Sequence, residues 1–240
     1  MNKNSNTYII IYSVVMVVIV AVLLAVTSLS LQERQNANRL NEKKQSILTS
    51  LSATDRAYEG YISEYAIDKD GNKIEGIDVF KQMEDLKGSF EDGIYPIFEA
   101  QDGRVVVPVT GSGLWGPIWG YVALENDMTT IAGVVMDHSG ETPGLGAEIA
   151  TPKHQATYKG KQIFKGDEFV SVKLRKGGAT EENKAHEVDA ISGGTKTSDG
   201  VSAMLENSLR NYLPFFEAKR AIEKAECCEV SNEVKSESNE

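Results

Sequence analysis

Hydrophobic and polar positions are sharply segregated along this chain. Residues 9–31 read IIIYSVVMVVIVAVLLAVTSLSL, with no charge and only Tyr, Ser and Thr as polar members. About 20 apolar residues span a hydrocarbon core, and a helix satisfies its own backbone groups there. The run predicts a transmembrane helix over 9–31 after a short tail, 1–8. Tyr8 and Tyr12 stand where interfacial anchors would. A cleaved signal peptide has a shorter apolar core, about 7–15 residues, so an uncleaved anchor is expected. Beyond it, Leu40, Ile47, Leu48 and Leu51 recur at a rough 3–4 spacing among charges. That spacing predicts a helical stalk over 32–52.

The period then changes. Tyr95–Ala100, Val105–Val109, Pro117–Leu124 and Ile131–Asp137 are apolar and β-branched with Gly and Asp between them, which predicts strands; Phe169–Leu174 is a fifth. Val201, Met204, Leu205, Leu209 and Tyr212 share one face of a helix predicted over 199–213, with Pro214 ending it. The expected fold class is α+β: one N-terminal membrane helix, then a mixed sheet-and-helix domain over 53–216. The Glu- and Lys-rich segment 217–240 is too polar to order itself and is expected to be a disordered tail.

Composition narrows the chemistry. The chain has 25 basic and 35 acidic residues and a formal charge of -10. Lys3 alone is charged before the apolar run, so the remainder carries 24 basic against 35 acidic residues, or -11. Nucleic-acid binding needs clustered cations and is not expected. Cys227 and Cys228 lie too close together for a disulfide framework. His138, His154 and His186 show no ligand spacing, so no metal site is expected. Asp68, Asp70 and Asn72 only partly match the start of a calcium loop. Counting Arg34, Arg39, Lys43 and Lys44 would keep the C-terminal side of the anchor inside, although long domains translocate regardless of charge.

Residues 189–200 read Asp-Ala-Ile-Ser-Gly-Gly-Thr-Lys-Thr-Ser-Asp-Gly. Gly193 and Gly194 allow close backbone approach. Ser198 or Asp199 could cap the helix, whose N-terminus favours an anion. Ser192, Thr195, Thr197 and Ser198 add hydroxyls and Lys196 a positive charge. Such a loop can hold a phosphate, but on the residues alone an ordinary turn before a capped helix is the stronger reading. The P-loop spacing is absent. Trp115 and Trp119 read by default as packing residues.

Four stretches carry a resemblance: Asp189-Ala-Ile-Ser-Gly-Gly-Thr195, Glu141-Thr-Pro-Gly-Leu-Gly-Ala147, Gly113-Leu-Trp-Gly-Pro-Ile-Trp-Gly-Tyr121, and Lys43-Lys-Gln-Ser-Ile-Leu48 after a single membrane helix. Together they resemble the NqrC family, the covalent-FMN component of the sodium-translocating NADH:quinone reductase. The resemblance implies one FMN per chain, joined by a phosphoester to Thr195 by a flavin transferase. Asp189 would belong to the recognised attachment motif. Ser192, Gly193, Gly194, Lys196 and Thr197 would lie around the phosphate. Thr142, Gly144, Leu145, Gly146 and Trp115 would lie near the ring, with Trp119 left in the core. Gly194 replaces the family's Ala, the loss of one methyl.

The resemblance further implies an electron-transfer role within a complex of six subunits in the bacterial inner membrane. Its partners would be NqrB, which carries a second FMN and handles quinone, and iron–sulfur carriers, with quinone as final acceptor and sodium as the pumped ion. The flavin domain would face the periplasm. Two alternatives stand beside it: RnfG, from the related Rnf ion-translocating complex, and a membrane-anchored assembly or scaffold protein without flavin.

Overall fold

The structure is a computed structural model and describes residues 6–224. Segments 1–5 and 225–240, with Lys3, Cys227 and Cys228, lie outside the described residues. The chain divides into two compact units, residues 1–44 and 45–240.

The first unit is almost entirely helix α1, which runs Asn6–Ser50 and ends inside the second unit. Its most apolar 18-residue window has a mean hydropathy of 3.2, and none of that window is buried. Ile9, Val17, Leu24 and Leu29 are all exposed. A helix apolar on every side and covered by nothing suits lipid. It is the one helix among the described residues long and apolar enough to cross a membrane. Tyr8 and Tyr12 stack near its start, ring centroids 6.4 Å apart.

The second unit is built on one antiparallel sheet. In chain order its elements are β1 (Ile62–Ile67), β2 (Lys73–Ile74), α2 (Val79–Gln82), α3 (Leu86–Glu91), β3 (Tyr95–Ala100), β4 (Val105–Ser112), β5 (Pro117–Leu124) and β6 (Ile131–His138). Then come α4 (Pro152–Gln155), β7 (Phe164–Lys165), β8 (Glu168–Phe169), β9 (Lys173–Arg175), β10 (Glu187–Asp189), α5 (Thr195–Arg210) and a helix α6 over residues 213–224. The six-stranded sheet has the order β2-β1-β3-β4-β5-β6. Strands β9 and β10 pair in parallel, and β7 and β8 form a small hairpin.

Side chains alternate across a strand, and here both faces are covered. Val105, Val107 and Val109 of β4 join the core under α5, with Val201, Leu205 and Leu209. Val106, Phe98 and Tyr121 face the other way, against Ile47, Leu48 and Leu51 from the end of α1 and Val79 of α2. Arg104 closes that end of α1, donating from Nη1 to the Leu51 carbonyl at 2.8 Å.

Helix α5 lies directly against β4. Ser208 Oγ accepts from Thr110 N at 3.1 Å, and Leu174 N donates to Ser202 Oγ at 2.9 Å. A Cβ placed at Gly111 would lie 2.7 Å from Met204 Cβ. One placed at Gly200 would run into the carbonyl oxygen of Ser112. Only glycine gives this approach.

Several expectations are corrected. Helix α5 spans 195–210, not 199–213, because the first turn needs neither Ser198 nor Asp199 as a cap. Gly194 is the N-cap, with no side-chain hydrogen bond. Pro214 does not simply end the helix. The chain turns at Asn211–Tyr212, and Pro214 lies in the first turn of α6, where a missing N–H costs little. Residues 217–224 of the expected disordered tail are helical. Lys219 pairs with Glu99 at 2.7 Å, and Arg220 lies 4.1 Å over the Phe164 ring. The stretch 169–174 breaks into β8 and β9 at Ser171, whose φ is 59°. Trp119 is 38 % exposed and not core. Asp68 accepts from Asp70 N, Asn72 N and Asn72 Nδ2, which makes an Asx-type turn rather than a calcium loop.

The Gly200 contact makes Gly200→Ala a test of sign. Alanine gains about 1 kcal/mol in helix propensity. Forcing a backbone aside costs about 1–3 kcal/mol. We expect a lower thermal midpoint by circular dichroism; a raised midpoint would show that α5 does not rest on Ser112.

Candidate functional site

Three segments distant in sequence meet beside the N-terminus of α5. They are the β4–β5 turn around Leu114 and Trp115, residues 139–146 after β6, and the 190–194 loop. They enclose a cleft of about 150 Å³ lined by Leu114, Trp115, Glu141, Thr142, Leu145, Gly146 and residues 193–197.

Gly193 has φ 74°, and a turn closes where Gly194 N donates to the Ile191 carbonyl at 3.0 Å. This reverses the chain into α5. The first helical hydrogen bond runs from Ser198 N to Gly194 O at 2.9 Å. The N–H groups of Thr195, Lys196 and Thr197 precede it, at the positive end of the helix dipole. Thr195 is exposed at this end, and its hydroxyl makes no hydrogen bond within the described residues. Two neighbouring hydroxyls are committed: Ser198 Oγ accepts from Ile191 N at 3.1 Å, and buried Thr197 donates from Oγ1 to Glu141 Oε2 at 2.5 Å. Ser192 is exposed and also makes no hydrogen bond within the described residues, but it lies outside the cleft. Lys196 is solvent-facing, with Nζ 4.0 Å from Asp199.

Residues 142–145 make the opposite wall. Leu145 N donates to Thr142 O at 3.1 Å, with Pro143 and then Gly144 (φ 75°) at the turn centre. Proline followed by a positive-φ glycine is the pattern of a type II turn. It leaves Leu145 41 % exposed, with Cδ2 2.6 Å from where a Gly193 Cβ would stand. Leu114 and Trp115 are also exposed, Trp115 at 70 %. The rim is therefore apolar and wet, beside a free hydroxyl and a set of N–H donors.

Glu141 is the buried charge of the site, 5 % exposed. Burial pushes its carboxyl up, but hydrogen bonds outweigh this and hold it below the usual range. The donors are Thr197 Oγ1 and Trp115 N, with the Leu114 and Gly116 amides of the same turn adding to the pull. Trp115 N lies 2.8 Å from Oε1. The Glu141 amide donates to His138 Nδ1 at 3.2 Å.

The cleft gathers Thr195, Gly193, Gly194, Lys196, Thr197, Thr142, Leu145, Gly146 and Trp115. Ser192, Gly144 and Asp189 do not line it. Gly144 shapes the wall from behind, and Asp189 Oδ1 accepts from Ala179 N at 2.9 Å. Glu141 and Leu114 line the cleft although their sequence context gives them no role. A single Glu before a Gly-rich turn carries no spacing signal, because its partners are 26 and 56 residues away. Among the described residues no cluster of His, Cys, Asp or Glu is arranged to hold a metal.

The FMN-binding domain family matches residues 113–210, the span that contains every wall of this cleft. NqrC of Vibrio anguillarum, a component of the Na(+)-translocating NADH-quinone reductase, is 29% identical over 208 residues, 75% of this chain and 81% of the relative. The corresponding protein of Pasteurella multocida is 42% identical over a shorter stretch of 110 residues, 46% of this chain and 40% of the relative. The crystal structure of NqrC from Parabacteroides distasonis is 40% identical with a TM-score of 0.68, covering 78% of this chain and 96% of that one. A second, from Shewanella oneidensis, is 29% identical with a TM-score of 0.67, covering 77% and 99%. The fold is that of a protein carrying an FMN-binding domain. The chain belongs to the NqrC family of the Na(+)-translocating NADH-quinone reductase.

The depressed carboxyls predict an acid limb. Glu141 and Glu187 lie below the usual range, and Asp102 is drawn down to about 2, chiefly by Arg104. Their folded values lie below the unfolded ones, roughly 4. The stability they contribute is therefore full above pH about 4 and is lost as pH falls through the folded values. Denaturant midpoints should be flat from neutral pH to about 5 and fall steeply below about 4. A stability that stays level down to pH about 2 would contradict these assignments.

Proposed function

We propose that this chain is the FMN-carrying electron-transfer component of a sodium-pumping NADH:quinone reductase complex, with FMN joined through a phosphoester to Thr195 Oγ1. One observation carries the reading: Thr195 is the exposed, uncommitted hydroxyl at the N-terminus of α5, opening into the cleft. Thr197 is buried and bound to Glu141, which disfavours it as the attachment point.

The residues present fit the cofactor. The free N–H groups of the first turn of α5 suit a phosphate. Leu114, Trp115 and Leu145 offer exposed apolar surface to a flat ring. FMN supplies the redox chemistry when bound; the protein positions it and sets its surroundings. A cleft of about 150 Å³ is smaller than the roughly 300–1,000 Å³ of sites that enclose a ligand. The ring would therefore stay partly in solvent, and the covalent link is what would keep it there. The apolar helix α1 suits a membrane anchor. On this reading the domain faces the periplasm of the inner membrane and exchanges electrons with NqrB, the partner that carries a second FMN, and with iron–sulfur carriers, ending at quinone.

Made with a flavin transferase, the chain should fluoresce on a denaturing gel and weigh one FMN less water more than the polypeptide. Thr195→Ala should remove both signals. An adduct that persists in Thr195→Ala moves the site to Thr197 or Ser192, and no adduct in the native chain overturns the flavin reading.

Leu145→Ala should leave attachment intact and shift the flavin spectrum or potential; an unchanged flavin would exclude Leu145 from the site. A reporter active only after export, fused after Lys44, should be active; inactivity would place the domain in the cytoplasm.

A further inference from the structure

We propose that Glu141 is a positioning residue: its single buried carboxylate ties the turn bearing Trp115 to the helix turn bearing Thr195, and so sets where the ring-facing and tether-bearing walls stand relative to each other. This rests on the flavin reading above.

The geometry is specific. Oε1 accepts from Trp115 N at 2.8 Å and Oε2 from Thr197 Oγ1 at 2.5 Å. The two oxygens of one side chain thus join the β4–β5 turn to α5, and the Glu141 backbone itself continues into the Thr142–Leu145 wall. The β4–β5 turn, the segment after β6 and the first turn of α5 therefore meet at one group. There is no slack around it. A Cβ at Gly113 would collide with Oε1, and one at Gly146 would collide with both Oε2 and Thr197 Oγ1. Glycine at both positions lets the backbone close down on the carboxylate.

A neutral side chain could fill this space, but a carboxylate does more. It accepts at both oxygens and has no proton to misdirect. Hydrogen bonds to a charged group are also stronger than those to a neutral one. It lies beside the first turn of α5, where the helix dipole favours a negative charge. The carboxylate also takes up donors of the β4–β5 turn, which leaves the first N–H groups of α5 as the uncommitted donors beside Thr195. Finally, it places a fixed negative charge in the wall of the cofactor site. A charge so placed raises the energy of added electron density nearby, in a medium that screens it less than water does.

The test uses the full chain in detergent. The Thr195→Ala chain serves as the flavin-free form, and chains made with the flavin transferase serve as the loaded form. Amide exchange is read on the first and midpoint potential on the second. Glu141→Ala in the flavin-free chain should raise exchange at Trp115 and at Ser198, the first hydrogen-bonded amide of α5, about tenfold, the loss of a charged hydrogen bond, with β3 to β5 unchanged. Glu141→Gln should keep that protection. Its amide oxygen can accept from Trp115 N, and its NH₂ can donate to a reversed Thr197 hydroxyl. In the loaded chain, Glu141→Gln should accept FMN and show a raised midpoint potential, because the charge is gone and the geometry is kept. If Glu141→Ala does not fold, Thr197→Val cuts one arm of the bridge and should raise exchange at Ser198 but not at Trp115. Native exchange in Glu141→Ala or Thr197→Val, or a native potential in Glu141→Gln, overturns the proposal while leaving the flavin reading intact. A native chain that takes up no FMN overturns the flavin reading, and this proposal falls with it.

Discussion

Helix α5 rests on backbone, not on side chains, where it passes the end of β4. Gly200 lies against the Ser112 carbonyl, and Gly111 faces Met204 at a separation that leaves no room for a methyl. That contact fixes the height of the helix above the sheet, and with it the place of Thr195. The hydroxyls along α5 then secure it laterally: Ser198 to Ile191, Ser202 to Leu174 and Ser208 to Thr110. Small polar residues suit this helix because a larger apolar face would hold it further out. The core beneath supplies the bulk of the burial through Val201, Leu205 and Leu209, while the glycines and serines supply the register.

Strands β3 to β6 were legible because their signal is local, whereas β1 and β2, which complete the sheet, were not. Strands Tyr95–Ala100 and Pro117–Leu124 follow apolar, β-branched runs closed by turn residues, and the observed bounds match. The start of α5 was not legible, since Thr195 to Ser198 read as loop chemistry when taken alone. The Thr197 and Ser198 hydroxyls are satisfied by partners that only the fold brings close, Glu141 and the Ile191 amide. Tertiary context overrides local propensity there. Residues 217–224 failed as disorder for a related reason. Their charges find distant partners in Glu99 and Asp167, and the stem of Arg220 covers Phe164. Side chains of this kind bury carbon while keeping the charge wet.

The site divides in the same way. Thr195, Thr142, Leu145 and Gly146 lie in motifs with distinctive residue content, and the fold gathers them in one cleft. Glu141 lay in such a motif too, but its importance is relational. A carboxylate becomes an organising centre only when two chain segments present donors to it. Trp119 shows the converse: a large aromatic in an apolar run reads as core, yet its position on β5 lies where the sheet face is open.

Asp189 and Thr195 stand at opposite ends of one loop and meet different fates. In the folded chain one of its carboxylate oxygens is already occupied by the Ala179 amide, so it braces the 177–180 turn. Thr195, six positions later, stands free on the first turn of α5. Folding thus divides a contiguous stretch into a braced half and an offered half. An unfolded chain would present both ends of the loop together, as a linear sequence. On the flavin reading proposed above, an enzyme that grips both ends of the loop would meet its substrate before the domain closes, and one that reads only the offered hydroxyl would meet it afterwards.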